Sequence, residues 1–587
     1  GVGGGEKMVA STCVSRTFVL TFSSFLPLIN YLEFIMRRIF KLTPALTIAL
    51  VALLWYQNAP EAQIRNAVGK VMPADAAPAD QQIFRFLNDE PTNLDIGVAI
   101  YEVGGIVFLF ERLTMLDHNN QVIPGAASSW ASSDDMTRWT FHMRPGARWS
   151  DGRPVTAHDF EYSYKRMFDP ATASGYAFFY HDIKGARAYN TGQTNDPNTV
   201  GVRAVDDMTL VIETEGPCPY LPMITAFFTS IPVPEWQVNK YGVKWATDEN
   251  GVSNSSYKIK TWRLGEHLTF ELDPYYNGPL KGYLSEIRSI FKNRGNTGLL
   301  AYENNELDLV YVDVRDLSRI ERDPRLQAEL HKYMDFNALY LFFKTREGLF
   351  SDLKVRQAIS HAIDREALCN VVLRGTALPA YTMLPPGFPG YSGDRLKDIQ
   401  RFDPARAKRL LAEAGYPNGR GFPSVDIQLR NDLPHRLMAA EAMAGMLKEH
   451  LNITVGVQNM EPRVYSDAMA KYDIPLSLIP FQYDFPDPHN LLGMVWHTQP
   501  AGRHDWTNAE FDRLIETAAR EVDEAKRNEM YHQAERILIE DVGGAFVFHD
   551  YVLQLRKPWL AGWKKDNTGQ APFFIDNSTI TDLYVKR

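Results

Sequence analysis

The chain has 587 residues with 45% hydrophobic and 23% charged content, an ordinary globular balance but too long for one core, so two or three lobes are expected. A formal charge of -9 supplies no basic stripe to meet phosphates, which argues against nucleic acid as a partner and suits cationic or zwitterionic ligands. The three cysteines, Cys13, Cys218 and Cys369, stand in no CxxC or CxxH context, which argues against a disulfide framework or zinc site and leaves one Cys218–Cys369 bridge open.

Near the start, Met36-Arg37-Arg38 is followed by an apolar run over 42–56 and then by Asn58-Ala59-Pro60-Glu61-Ala62. That order predicts a secretory signal over 36–62, with 1–35 an upstream extension. A retained membrane anchor is the alternative, because this run and the one at 17–34 both approach the ~18 residues that span a bilayer. The Ala/Pro/Asp-rich stretch at 73–80 makes 63–80 a flexible leader. Beyond Gln81 no apolar run is long enough to span.

Residues 139–143 alternate like a strand and stop at Pro145-Gly146. Ser150-Asp151-Gly152 is a second turn, and Thr156 to Asp159 resembles a capping box opening a helix over 160–167. Residues 202–213 read as two strands split at Asp206-Asp207, and 257–273 as two more split at Leu264-Gly265-Glu266. Helical spacing follows over 355–363, 405–414 (ending at Gly415), 437–450, 511–517 and 527–539. Strands are expected at 453–457 and 476–481. Interleaved strands and helices give an α/β protein.

The run Phe481-Gln482-Tyr483-Asp484-Phe485-Pro486-Asp487-Pro488 sets a carboxylate between aromatic rings at a strand end. If Asp484 is buried it needs a cation, since an unpaired buried carboxylate costs several kcal/mol. No Lys or Arg lies between Lys471 and Arg503, so the partner comes from elsewhere in the fold or from a ligand's ammonium. A surface Asp in a turn is the other reading. Elsewhere there is no GxxxxGK[ST] loop, GxSxG or HExxH. His489, His497 and His504 have spacings that suit no helical metal pair. No metal, cofactor or catalytic group is nominated.

Several stretches together resemble the family-5 extracellular solute-binding proteins, the periplasmic oligopeptide-binding components of bacterial ABC importers. They are Trp139 to Arg144, Trp149 to Phe160, Asp169 to Tyr176, Tyr257 to Trp262 with Gly265-Glu266, Phe350 to Ile359 with Ile363-Asp364-Arg365, Leu410 to Tyr416, and Asp484 to Pro488. The WSDG segment, Arg356 and Asp364-Arg365 also have architectural readings, as turn, helix cap and local pairing.

The resemblance implies a two-lobed clamp of the periplasmic-binding-protein type II kind, with an extra domain inserted in the first lobe. Expected boundaries are 81–112, 235–336 and 552–587 for lobe I, 113–234 for the insert and 337–551 for lobe II. It implies a non-catalytic, monomeric periplasmic protein that delivers peptides to an ABC permease. Peptide would lie extended between the lobes, pairing with protein strands. Asp484 would anchor its ammonium, with Tyr176, Phe481 and Tyr340 alongside. Two cysteines that bridge in similar members are matched by Asn337 and Gln482, whose amides could bond ligand backbone. Basic residues that receive a peptide carboxylate are matched by Asp467 and Leu478, leaving His435 as the candidate for that role. An opine, a nickel chelate or an oligosaccharide remains a rival ligand on this fold, and a chaperone-like or chemosensory peptide binder a rival role.

Overall fold

Period-two alternation builds the sheets, as the sequence pattern requires. In the computed structural model the described residues are 64–587, apart from 92–93, 96–105, 292–295, 431–432, 499–503, 568 and 570–576. Ile83–Asn88 buries every second side chain, including Phe84 and Phe86, and runs parallel to Glu286–Phe291 on one side and Leu309–Tyr311 on the other. His267–Leu272 and Tyr257–Arg263 extend this half-sheet with antiparallel strands. A second half-sheet runs Val455–Met460, Val425–Arg430, Leu476–Gln482 and Asn337–Phe343. Asn337–Phe343 is buried along its whole length, as a strand covered on both faces must be.

One strand belongs to both halves. Gly544–Arg556 pairs through Gly544 to Phe548 with Asn337–Phe343, and further along with Leu330–Met334 and Leu309–Tyr311. The chain crosses between the halves a second time at Asp335-Phe336, which links Leu330–Met334 to Asn337–Phe343. A separate antiparallel sheet runs Ala127–Ser132, Arg138–Met143, Thr209–Glu213 and Val202–Asp206, with Ala157–Phe168 packed beside it. The result is the expected α/β architecture of two lobes and an inserted domain.

Local chemistry explains the joints. Asp159 accepts from the Thr156 amide at 2.8 Å and from the buried Trp149 indole at 3.5 Å, and burial raises its pKa to about 6. The WSDG turn therefore fixes a helix start. Gly415, at φ +95°, ends Pro404–Glu413 in a conformation that side chains rarely adopt. Arg365 departs from the expected local pairing. Its guanidinium is fully buried and bonds the carbonyls of Ala380, Phe546, Ser360 and Ile363, with Ser360 Oγ and Gln400 Oε1, so it stitches loops together without a carboxylate. Burial lowers its pKa to about 10. Asp364 does cap the next turn, accepting from the Ala367 amide at 2.9 Å.

The extension at 1–35 and the signal or anchor at 36–62 lie outside the described residues. Residues 64–80 are fastened and do not form the expected flexible leader. Lys70 Nζ donates to the carbonyls of Lys281 and Thr581, the Asn66 amide donates to Gly282, and Ala76 and Ala77 are buried beside the C-terminal strand. Burial lowers the Lys70 pKa to about 8. The polar composition hid these anchors, which reach residues more than two hundred positions away. Among the described residues no helix is long and apolar enough to cross a membrane.

Cys218 and Cys369 are both free and buried, and burial pushes both thiols up. They should resist thiol reagents in the native state, and a reductant should leave the thermal unfolding midpoint unchanged; a reductant-dependent midpoint would indicate a bridge between them.

Candidate functional site

The strand Leu476–Gln482 runs antiparallel to Asn337–Phe343 and delivers the 484–488 turn at its end. Two acids in this turn have different fates. Asp487 is 6% exposed and forms a two-pronged pair with Arg527, both N···O distances being 2.7 Å. Arg527 is held in turn between the rings of Tyr531 and Tyr220. Arg527, from elsewhere in the fold, is therefore the cation that compensates the buried Asp487.

Asp484 is half-buried and is oriented by Asn490. The Asp484 amide donates to Asn490 Oδ1 at 2.8 Å, and Asn490 Nδ2 donates to Asp484 Oδ2 at 3.0 Å. Asn490 is fully buried, so one carboxylate oxygen is held by a fixed group. Six residues of separation and no recognisable motif kept Asn490 out of the sequence reading.

The inserted domain supplies a facing wall of rings. Tyr176 lies 5.2 to 6.3 Å, centroid to centroid, from Phe178, Phe179, Phe227 and Phe228. Phe179 meets Phe485 edge-on at 5.7 Å, which joins this wall to the turn carrying Asp484. Tyr180, next in the chain, donates or accepts with Thr229 and Ser230 through its hydroxyl. Burial raises its pKa, and the charges of Arg112 and Asp484 both reach it, with opposite signs. Arg112 is a buried basic residue that the sequence reading missed, because only the fold brings it to this wall.

The other predicted residues go elsewhere. Phe481 is partly buried and packs on the aromatic cluster of the second lobe. Tyr340 is fully buried there, its hydroxyl 2.7 Å from His504 Nε2 and its ring against Trp496 and Phe546. Asn337 and Gln482 face each other across paired strands, and both amides donate to the Asp335 carboxylate, at 3.0 and 3.1 Å. A carboxylate bridge thus occupies the position where a disulfide was expected to be lost. His435 contacts carboxylates of the protein, Asp550 at 3.3 Å and Asp313 at 3.8 Å. Leu478 is in the core and Asp467 is exposed. His497 contacts Glu516, and His489 stacks on Tyr220, which accounts for the histidines singled out by spacing.

Comparison with known proteins bears on the family and the fold. Residues 121–503 match the family described as bacterial extracellular solute-binding proteins, family 5 Middle. The chain is 31% identical over 504 residues to the probable deoxycholate-binding periplasmic protein YgiS of Escherichia coli, covering 84% of this chain and 93% of that one. It is 30% identical over 483 residues to the periplasmic oligopeptide-binding protein OppA of Salmonella typhimurium, covering 81% and 87%. The solved structure of the Escherichia coli murein tripeptide binding protein MppA superposes with a TM-score of 0.74 at 28% identity, covering 88% of this chain and all of that one.

Proposed function

Because the chain belongs to the family-5 bacterial extracellular solute-binding proteins, we propose that it is a periplasmic solute receptor of an ABC importer that holds peptides by a free amino terminus on Asp484. The observation that supports this reading is a half-buried carboxylate whose orientation is set by the buried Asn490, one residue before Phe485, which meets the ring wall of the inserted domain. A carboxylate already oriented before the ligand arrives loses little freedom on binding. Closing the lobes would remove water from the ion pair and strengthen it. Tyr176 and its neighbours would then cover the first residue of the peptide. An ABC permease in the inner membrane is the partner this role requires.

The ring wall also favours a second reading, an apolar solute that is not a peptide, and one relative carries the name of a deoxycholate-binding protein. Calorimetry separates the two. A tripeptide that binds should lose most of its affinity on N-acetylation. Equal affinity of the free and acetylated forms would overturn the amine anchor, and mass spectrometry of solute released from the purified protein would then identify the ligand class.

A further inference from the structure

Five charged groups converge where the chain crosses between the lobes. Asp335 sits on the first crossover, between Leu330–Met334 and Asn337–Phe343. Asp550 sits on the second, within Gly544–Arg556, at the point where pairing passes from one half-sheet to the other. His435 and Arg436 open the helix Pro434–Leu451 of the second lobe, and Asp313 follows Leu309–Tyr311 in the first. His435 reaches Asp550 at 3.3 Å and Asp313 at 3.8 Å, while Arg436 reaches the other Asp550 oxygen at 3.7 Å. The side chains of His435, Asp313, Asp550 and Arg436 are 12 to 19% exposed, so their charges are poorly screened.

The surroundings tie these groups to the crossovers. Asn337 accepts from the Asp550 amide at 2.9 Å and donates to Asp335 at 3.0 Å, so one side chain spans both strands. Gln482 adds a second bond to Asp335, and His549 Nδ1 lies 2.6 Å from the Asn337 carbonyl. On the first-lobe side Arg315 bonds Asp313 at 3.0 Å. An apolar contact accompanies the charges, because Met438, one turn along the helix from His435, packs against Val314, Leu317 and Leu553. The helix therefore touches the first lobe through both a charged and an apolar patch.

We propose that His435 and Arg436, held by Asp313 and Asp550 beside the Asn337-bound Asp335, form an ionic pin across the two crossovers that favours this arrangement of the lobes and couples it to a bound proton. Three carboxylates around two cations need the histidine charged, and opening the lobes would draw Asp313 away from it. The energetics run in the same direction. Burial works against the His435 charge, but the carboxylates of Asp313 and Asp550 outweigh it and raise its pKa to about 9. Burial also opposes the Asp313 charge, yet His435 and Arg315 bring its pKa down to about 2. For Asp335, burial and the like charge of Asp550 raise the pKa to about 6. A histidine whose pKa is raised in the pinned state contributes fully below its ordinary value of about 6.5, and that contribution is lost as pH climbs through about 9.

The test needs no ligand, so it stands apart from the amine anchor. Small-angle scattering of the ligand-free protein from pH 7 to 10 should show the radius of gyration rising with a midpoint near pH 9. His435→Gln should give the larger radius throughout and abolish the rise, with secondary structure unchanged by circular dichroism. Asp313→Asn, which keeps the histidine but removes the carboxylate that opening withdraws, should also enlarge the radius at pH 7 and flatten the rise. A flat profile for the parent protein, or the same rise in His435→Gln, would overturn the pin.

Discussion

Asp484→Ala is expected to weaken binding of free-amine peptides by more than about a hundredfold while leaving the fold intact. Removing one partner of a buried ion pair costs roughly 3–5 kcal/mol, and each ~1.4 kcal/mol is a factor of ten in affinity. The bound ammonium would lose its counter-charge inside a closed cleft, where water returns too little of the lost solvation. Stability should fall by about 1–3 kcal/mol, because the buried Asn490 amide loses an acceptor, while the turn stays anchored by Asp487. Asp484→Asn is the sharper control, since it keeps shape and can still meet Asn490. A large loss for both variants assigns the effect to charge, whereas retained affinity in Asp484→Asn would refute an ionic anchor. Calorimetry with one binding tripeptide measures all three proteins.

Asp487→Ala should have the opposite profile, a large loss of stability. It strands the Arg527 guanidinium between Tyr220 and Tyr531, with the side chain only 10% exposed. The two-pronged bond to Asp487 outweighs burial and holds the pKa of Arg527 above its ordinary value. That guanidinium cannot escape its charge at any accessible pH. A cost of roughly 3–5 kcal/mol follows, read as a lower midpoint in urea. Replacing both partners, Asp487→Leu with Arg527→Met, should recover much of the loss, because a buried pair is close to neutral against apolar groups of similar volume. If the single variant unfolds at the parent midpoint, the pair is dispensable.

The elements that sequence exposes here are those whose information is local. The strands at 202–206 and 209–213, and the helix starting after Thr156, follow from alternation and a four-residue cap. The 484–488 turn was equally legible as a place where a charge needs explaining. What sequence could not supply was the matching of partners. Arg365 sits beside Asp364, yet its bonds go to carbonyls of residues such as Phe546, 181 positions on. His435 offers a charge at a helix start, and nothing near it in the chain names Asp313 or Asp550. Asn337 and Gln482 could be paired by resemblance, but the carboxylate between them is visible only once two strands lie side by side.

The strand Gly544–Arg556 has a mechanical consequence. It pairs with one half-sheet and then the other, with one register shift near Phe548 and the Asp550 amide held by the Asn337 side chain, so the lobes do not swing as plates on a slack ribbon. Any change in their angle must be absorbed as twist along this thirteen-residue strand, in the manner of a torsion bar. The resting angle would then be an elastic property of the backbone, and charges beside the bar would only load it one way or the other.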